Sequence, residues 1–359
     1  MKKYLLAIKN WLARLSFRTG VIVLALCVPC YIISFAQMLL PISVGAKSAL
    51  WVVFFGLAKT FQYGGLTILG VEGYTACELI SREKNINIIT NQSTAMLDDK
   101  EFLSLRDFLD REAARINNTD FIANDPVQFP RRFSRLQDIE AVSLLSASIA
   151  WGKRKMICNN CEKMLAIMEN SPLEYIREGA FEQLPDELNI HRTFFARNFK
   201  YMLRGLARIF SRYGSLCDFA AANRVGEHET PSWQLVELMQ REFSEANAGA
   251  TDSQCLPTQL RNTALKRINM ALRWLVRDDG IVDMGVWTAI PKSKLFIPLD
   301  VHVGDTARSL GMVERRANDK RTVLELTAML RRMRPDDPVI YDYALFGIGI
   351  GDKYLAPQL

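Results

Sequence analysis

Residues 195–221 read FARNFKYMLRGLARIFSRYGSLCDFAA, and their apolar side chains recur every three or four positions. This spacing places the apolar side chains on one face of an α-helix. The same periodicity dominates the chain beyond residue 100, whereas the alternating pattern of strands is nearly absent. We therefore predict an all-α fold with one continuous core. The predicted helices are Lys100–Asn117, Asp138–Ser171, Phe195–Ala221, Ser232–Ala246, Thr258–Arg277, Val301–Ser309 and Val323–Arg331.

The first 80 residues differ in composition from the rest. Val21–Leu40 contains no charged side chain, and Ala49–Val71 is a second apolar run with Lys59 and Gln62 near its middle. About 20 apolar helical residues suffice to cross the hydrocarbon core of a bilayer. The sequence therefore predicts a transmembrane helical hairpin over residues 19–80, with spans at about 21–43 and 49–71 and the lipid bilayer as a partner. Lys59 is expected to reach the membrane surface or to face the neighbouring helix.

Basic residues determine the predicted orientation of this hairpin. Residues 1–18 form a basic amphipathic segment, and residues 1–80 hold seven Lys or Arg and two acids, a charge of +5 out of the chain's +6. Because positive side chains flank both spans on the same side, the positive-inside rule places both termini in the cytosol. We thus expect a multi-pass protein of the inner membrane, with a linker at residues 81–99 and a helical domain at residues 100–359.

Charge and cysteine content exclude several simple functions. The remaining +1 on residues 81–359 does not by itself indicate a nucleic-acid binder, so local basic patches would have to supply such contacts. Seven cysteines give neither a disulfide framework nor a zinc site, because Cys27 and Cys30 lie in an apolar run and the CxxC motif at Cys158 and Cys161 has no histidine pair nearby. The sequence also lacks the GxGxxG, P-loop, HExxH and GxSxG motifs.

Three short segments of the C-terminal part are similar in sequence to motifs of a single superfamily. Residues 297–311 read IPLDVHVGDTARSLG, residues 141–148 read AVSLLSAS, and residues 343–347 read YALFG. Together these segments resemble the helix-hairpin-helix DNA glycosylases, which include endonuclease III and the oxidised-guanine glycosylases. The resemblance implies a helical glycosylase-like domain that binds damaged duplex DNA and either excises a base or processes an abasic site.

The stretch from about Asp125 to Ile350 is also similar as a whole to an uncharacterised bacterial domain family. The motifs that carry this similarity are DPVQFPRRF (125–133), ASIAWGKRK (147–155), HRTF (191–194), RYGSL (212–216), NMALRWLVR (269–277), PLDVHVG (298–304) and DPVIYDYALFGIG (337–349).

The glycosylase resemblance implies two catalytic residues. Asp300 would be the carboxylate that stabilises positive charge on the sugar, and Lys266 would be the amine that attacks the sugar to form a Schiff base. Two departures from the glycosylase pattern are visible. The Leu-Pro-x-Val-Gly hairpin before the aspartate is replaced by a longer segment, residues 278–294, and the cysteine quartet of an iron–sulfur cluster is missing. We therefore expect no cluster and no other cofactor.

Eight residues are candidates for nucleic-acid contacts. Ser148 occupies the position of the side chain that probes the duplex in the glycosylases, and Trp151 precedes a basic cluster that could follow the phosphates. The eight candidates are Ser148, Trp151, Lys153, Arg154, Lys155, Arg131, Arg132 and Arg267.

Plainer interpretations stand beside each of these hypotheses. Asp300 occupies a helix N-cap position, Lys266 suits a solvated helix surface, and a basic cluster can simply face water. Two alternatives to catalysis follow. One is a non-catalytic nucleic-acid-binding module, and the other is a membrane-anchored scaffold that binds another protein.

Overall fold

The computed structural model describes residues 25–36, 45–61 and 99–351. The chain divides into two compact units, Met1–Ile88 and Ile89–Leu359. The predicted basic segment at residues 1–18, and residues 81–98 of the predicted linker, lie outside the described residues.

The N-terminal unit contains helix α1, Cys27–Ala36, and a second helical stretch at residues 45–61. Aromatic rings join the two, because Tyr31 and Phe55 meet edge to face with ring centroids 5.6 Å apart. Lys59 places its Nζ atom 5.9 Å from the centre of the Tyr31 ring. Lys59 therefore faces the neighbouring helix, which is one of the two positions expected from the sequence.

The predicted membrane spans are not supported. In the part of the chain that the structure describes, no helix is both long enough and apolar enough to cross a membrane. The prediction of a multi-pass inner-membrane protein is therefore wrong. The predicted spans at 21–43 and 49–71 rested on apolar runs of sequence, and residues 21–24, 37–43 and 62–71 of these runs lie outside the described residues.

The C-terminal unit is helical, which confirms the predicted all-α class. Within residues 99–351, strand is confined to an antiparallel pair, β1 (Asn189–His191) and β2 (Phe194–Phe195). The helices are α2 (Asp99–Ile116), α3 (Thr119–Ala123), α4 (Leu136–Ser148), α5 (Arg154–Ile167), α6 (Pro172–Glu178), α7 (Ala196–Tyr213), α8 (Leu216–Ala222), α9 (Pro231–Ala246), α10 (Lys266–Val276), α11 (Val301–Ser309), α12 (Lys320–Met333) and α13 (Tyr341–Ile350). Short 3-10 turns lie at Pro126–Gln128, Pro130–Arg132, Ala180–Gln183, Val225–Glu227, Lys292–Lys294 and Pro338–Ile340.

Helix α4 lies at the centre of this unit. Eleven of its 13 residues are buried, including the polar side chains of Asp138 and Glu140. Helix α10 packs directly against α4, and α13 packs against both α2 and α11. The N-terminal ends of α10 and α11 and the C-terminal end of α4 are thereby brought to one side of the domain, where the cleft described below opens.

Three predicted helices are shorter in the structure, and in each case the local backbone explains the difference. The predicted helix Asp138–Ser171 is interrupted before Arg154 because Gly152 adopts a φ of 103°. The predicted helix Phe195–Ala221 ends at Gly214, where φ is 90°. The helix predicted from Thr258 begins only at Lys266, since Leu265 has left-handed backbone angles.

Candidate functional site

A cleft of about 1860 Å³ opens where five helix ends meet. The first residues of α5, α10 and α11 line it, as do the last residues of α4 and α13. Both catalytic candidates and most of the predicted nucleic-acid contacts lie on its wall, namely Lys266, Asp300, Ser148, Trp151, Lys153, Arg154, Lys155 and Arg267.

Lys266 and Asp300 face each other across the cleft. The Nζ atom of Lys266 lies 4.0 Å from Oδ2 of Asp300, and the two side chains are 28% and 23% exposed. The amine and the carboxylate are thus partly shielded from water and still open to a ligand. The two residues are 34 positions apart in sequence (300 − 266), so the fold of the chain brings them together.

Asp300 also caps helix α11. Its Oδ1 accepts a hydrogen bond of 3.0 Å from the backbone N–H of Val303, and its backbone carbonyl accepts one of 3.1 Å from the side-chain amide of Asn318. The capping interpretation from the sequence is therefore correct. It leaves Oδ2 turned towards Lys266, so the cap fixes the orientation of the carboxylate.

Lys266 begins helix α10 directly after a residue with an unusual backbone. Leu265 is buried and has φ 51° and ψ 35°. An L-residue with a bulky side chain in this left-handed region costs roughly 1–2 kcal/mol. The packing around Leu265 offsets this cost. The turn at Leu265 sets the direction in which the Lys266 side chain points from the first residue of α10.

Arg267 connects the ends of two helices. Its Nη1 donates to the backbone carbonyls of Ser148, at 2.8 Å, and Gln254, at 3.0 Å, and its guanidinium lies 5.5 Å from the centre of the Trp151 ring. Burial lowers the pKa of this guanidinium. Arg267 therefore holds the wall of the cleft in place, in addition to any contact with a ligand.

Trp151 is fixed from the other side by His191, a residue that the sequence analysis did not select. Nε2 of His191 lies 2.9 Å from the backbone carbonyl of Trp151, and Nδ1 lies 2.9 Å from Nδ2 of Asn160. Because a carbonyl oxygen only accepts, Nε2 carries the proton and Nδ1 accepts from the amide. Burial lowers the pKa of His191, so the imidazole is neutral and holds Trp151 by its backbone.

The rim of the cleft is basic. Lys153 and Lys155 are exposed on either side of Arg154 at the start of α5, and Arg192 adds another exposed guanidinium. The guanidinium of Arg154 lies 5.7 Å from the Phe121 ring and 5.4 Å from the Phe346 ring. Since the N-terminal ends of helices carry partial positive charge, the starts of α5, α10 and α11 reinforce the attraction of this rim for anions.

Arg131 and Arg132 are not part of the cleft wall, unlike the other predicted nucleic-acid contacts. Arg131 donates to the backbone carbonyl of Val282 at 2.8 Å, and Arg132 forms an ion pair with Glu162 at 2.9 Å. Ser148 does line the cleft, but only 2% of its surface is exposed, which leaves little of it to probe a duplex.

Two further charged residues in the cleft escaped the sequence analysis. Asp342 and Arg273 line the cleft and bind each other through Oδ2 and Nη1. The one available signal was an isolated acid within the apolar run PVIYDYALFGIGI, residues 338–350. A buried charge of this kind requires a partner, and Arg273 is 69 residues distant in sequence.

The described residues contain no group of three or more His, Cys, Asp or Glu side chains able to hold a metal ion. Burial raises the pKa of Cys158 to about 11 and that of Cys161 to about 12. The two members of the CxxC motif are therefore protonated thiols at neutral pH, which are poor metal ligands.

Comparison with known protein families, curated proteins and solved structures places the chain in a family but gives it no activity. No curated protein and no solved structure matches it. The model of one family matches residues 125–351, well over half of the chain, and agrees with the stretch expected from the sequence motifs. The chain therefore belongs to the family described as "Protein of unknown function (DUF2400)".

Proposed function

We propose that the cleft binds a damaged nucleic acid and that Lys266 and Asp300 act on the sugar of the damaged nucleotide, in base excision or abasic-site processing. The observation that carries this proposal is the 4.0 Å separation of an amine and a carboxylate, both partly exposed, in the wall of a large cleft with a basic rim. It is supported by the resemblance of residues 297–311, 141–148 and 343–347 to the helix-hairpin-helix glycosylases.

The chemistry requires a neutral amine at Lys266. Asp300 is the ion-pair partner of Lys266 at 4.0 Å, and a side-chain movement of about 1 Å brings it within hydrogen-bonding distance to accept the proton that the ammonium group must lose. On an abasic site, the amine adds to the C1′ aldehyde, and the adduct takes up the proton held by Asp300 and loses water to give a protonated imine. On a base-bearing nucleotide, the amine displaces the base at C1′. The N-glycosidic bond then breaks, and the base leaves with the electron pair and takes up a proton.

The rim of the cleft suits the phosphates on either side of the reacting nucleotide. Lys153, Lys155 and Arg192 are exposed and carry the charge needed to neutralise a backbone of phosphodiesters. Trp151, fixed by Arg267 and His191, offers a ring on which a base could stack. The cleft is also large enough for an extruded nucleotide together with part of its strand.

One observation favours a second candidate, a nucleic-acid-binding module without catalysis. The glycosylases to which the chain is similar carry a hairpin turn before the aspartate. Here residues 277–300 form no helix beyond the turn Lys292–Lys294. A module of this kind would bind duplex DNA in the same cleft without forming a covalent intermediate.

Borohydride trapping separates the two candidates. The full-length chain is mixed with a duplex that carries an abasic site, and borohydride is added to reduce any imine to a stable secondary amine. Wild type should give a covalent adduct, Lys266→Ala should give none, and Asp300→Asn should give at least tenfold less.

The matched control is Lys294→Ala, which removes a half-buried lysine that lies outside the cleft and donates to the backbone carbonyl of Glu227. This variant should trap as much DNA as wild type. Duplex binding without any adduct would favour the non-catalytic module. If the chain neither binds nor traps DNA at low salt, both candidates are excluded.

A further inference from the structure

Asp342 lines the same cleft as the Lys266–Asp300 pair. It is in the first turn of α13, which packs against α11, the helix that Asp300 caps. Its partner Arg273 is on α10, seven residues or two turns after Lys266, and therefore on the same face of that helix. The helix that begins at Lys266 and the helix that Asp300 caps are therefore both in contact with Asp342 or with its own helix.

The carboxylate of Asp342 is buried, and only one of its oxygens is used. The residue is 5% exposed, Oδ2 accepts from Arg273, and Oδ1 accepts no hydrogen bond from any of the described residues. Burial, together with repulsion from Asp300, raises the pKa of Asp342 to about 6, although Arg273 opposes this. At neutral pH the carboxylate is mainly ionised, and its Oδ1 is an acceptor without a donor on a residue that lines the cleft.

Asp342 is not needed to neutralise Arg273. Behind the cleft lies an ionic network of two arginines and four aspartates, Arg273, Arg277, Asp279, Asp283, Asp337 and Asp342. Arg273 already binds Asp283 at 3.2 Å, and Arg277 binds Asp279, Asp283 and Asp337. Without Asp342, two guanidinium groups would still face three carboxylates. A surplus buried charge that opens into a cleft is costly to keep, and such groups are frequent in ligand sites.

We propose that Asp342 recognises the base of the bound nucleotide, with Oδ1 accepting a hydrogen bond from an N–H group on the edge of a nucleobase that enters the cleft. This inference rests on the proposed function, since it requires a nucleic acid in the cleft. It adds that the ligand is an extruded nucleotide that still bears its base. Arg273, the partner of Asp342, keeps the carboxylate turned into the cleft.

The test compares binding of the full-length chain to four duplexes by fluorescence anisotropy at low salt. One duplex carries a tetrahydrofuran residue, which has no base. The others carry uracil, hypoxanthine or 8-oxoguanine on a 2′-fluoro sugar that resists excision, and each of these bases offers an N–H. Wild type should bind at least one base-bearing duplex about tenfold more tightly than the tetrahydrofuran duplex, the contribution of one hydrogen bond to a charged group.

The variant Asp342→Asn should lose this preference and still bind the tetrahydrofuran duplex within about twofold of wild type. Asp337→Asn is the matched control, because Asp337 belongs to the same ionic network and does not line the cleft. It should keep the preference, and thermal unfolding shows that each variant is folded. Wild type without a preference, or a preference retained in Asp342→Asn, overturns the inference while the proposed function stands. Absence of binding to every duplex overturns both.

Discussion

The indole nitrogen of Trp287 donates a hydrogen bond of 2.8 Å to Glu140, although 147 residues separate the two in sequence. The same carboxylate accepts from the backbone N–H groups of Leu216 and Cys217, both at 2.8 Å, at the start of α8. Glu140 is completely buried in the central helix. One side chain thus ties α4 both to α8 and to the irregular segment that leads to Asp300.

This arrangement predicts a pH-dependent stability. Burial raises the pKa of Glu140 to about 7, although the three donors oppose the shift. Between about pH 4.5 and 7 the unfolded chain releases this proton while the folded chain keeps it, so the free energy of unfolding falls as the pH rises. Glu140→Gln removes the titration. The stability of the variant relative to wild type should therefore increase by on the order of 3 kcal/mol from pH 5 to pH 8.

Urea unfolding at several pH values, followed by tryptophan fluorescence, measures this difference. Glu162→Gln is the control, because Glu162 is an exposed carboxylate paired with Arg132. The difference in free energy of unfolding between Glu162→Gln and wild type should stay the same from pH 5 to pH 8. A pH profile of Glu140→Gln parallel to that of wild type would show that Glu140 does not titrate in this window.

The cap and the proposed chemistry of Asp300 can be separated by substitution. Asparagine is also a favoured N-cap, so Asp300→Asn should change the free energy of unfolding by less than about 0.5 kcal/mol, whereas Asp300→Ala should cost about 1 kcal/mol. Both variants should lose adduct formation. Asp319 caps α12 in the same way, accepting from Thr322 at 3.0 Å outside the cleft. Asp319→Ala should therefore lose stability and still form the adduct. If Asp319→Ala also fails to form the adduct, the loss in the Asp300 variants reflects destabilisation of the fold and not the chemistry of Asp300.

The basic rim should be visible in the salt dependence of binding. Lys153→Gln and Lys155→Gln should each weaken duplex binding and reduce the slope of log K against log salt by about one, the effect of losing one phosphate contact. Arg132→Gln should leave the slope unchanged, because Arg132 is paired with Glu162 outside the cleft. Equal effects in all three variants would mean that the nucleic acid binds over a wider surface.

The helical fold and the N-cap at Asp300 could be predicted from local sequence. Helical periodicity indicates which segments bury one face, and an aspartate before an apolar turn indicates the cap at Asp300. The resemblance to the glycosylases implied both Asp300 and Lys266; the two side chains lie 4.0 Å apart in the cleft, and their catalytic roles stay predictions.

Long-range and backbone effects could not be read in this way. Gly152 and Leu265 interrupt patterns that continue through them, because a single residue with positive φ leaves the apolar spacing intact. The burial of Asp342 depends on Arg273, and the position of Arg131 depends on the carbonyl of Val282, 151 residues away. Neither partner is visible in the local sequence.

The close approach of α13 to α11 gives a final prediction about the geometry of the site. A Cβ atom on Gly349 would lie 2.9 Å from the backbone carbonyl of His302 and 2.9 Å from Oγ1 of Thr306. Gly349→Ala must therefore push the two helices apart and shift Asp342 relative to Asp300. Gly347→Ala is the matched control on the same helix, because the three atoms nearest to its Cβ would all belong to the side chain of Ile116 on α2. Both variants should unfold at lower temperature, with overpacking costs of about 1–3 kcal/mol. Only Gly349→Ala should also lower duplex binding and adduct formation at a temperature where both variants are folded. Equal activity of the two variants would show that the α11–α13 spacing does not set the geometry of the site.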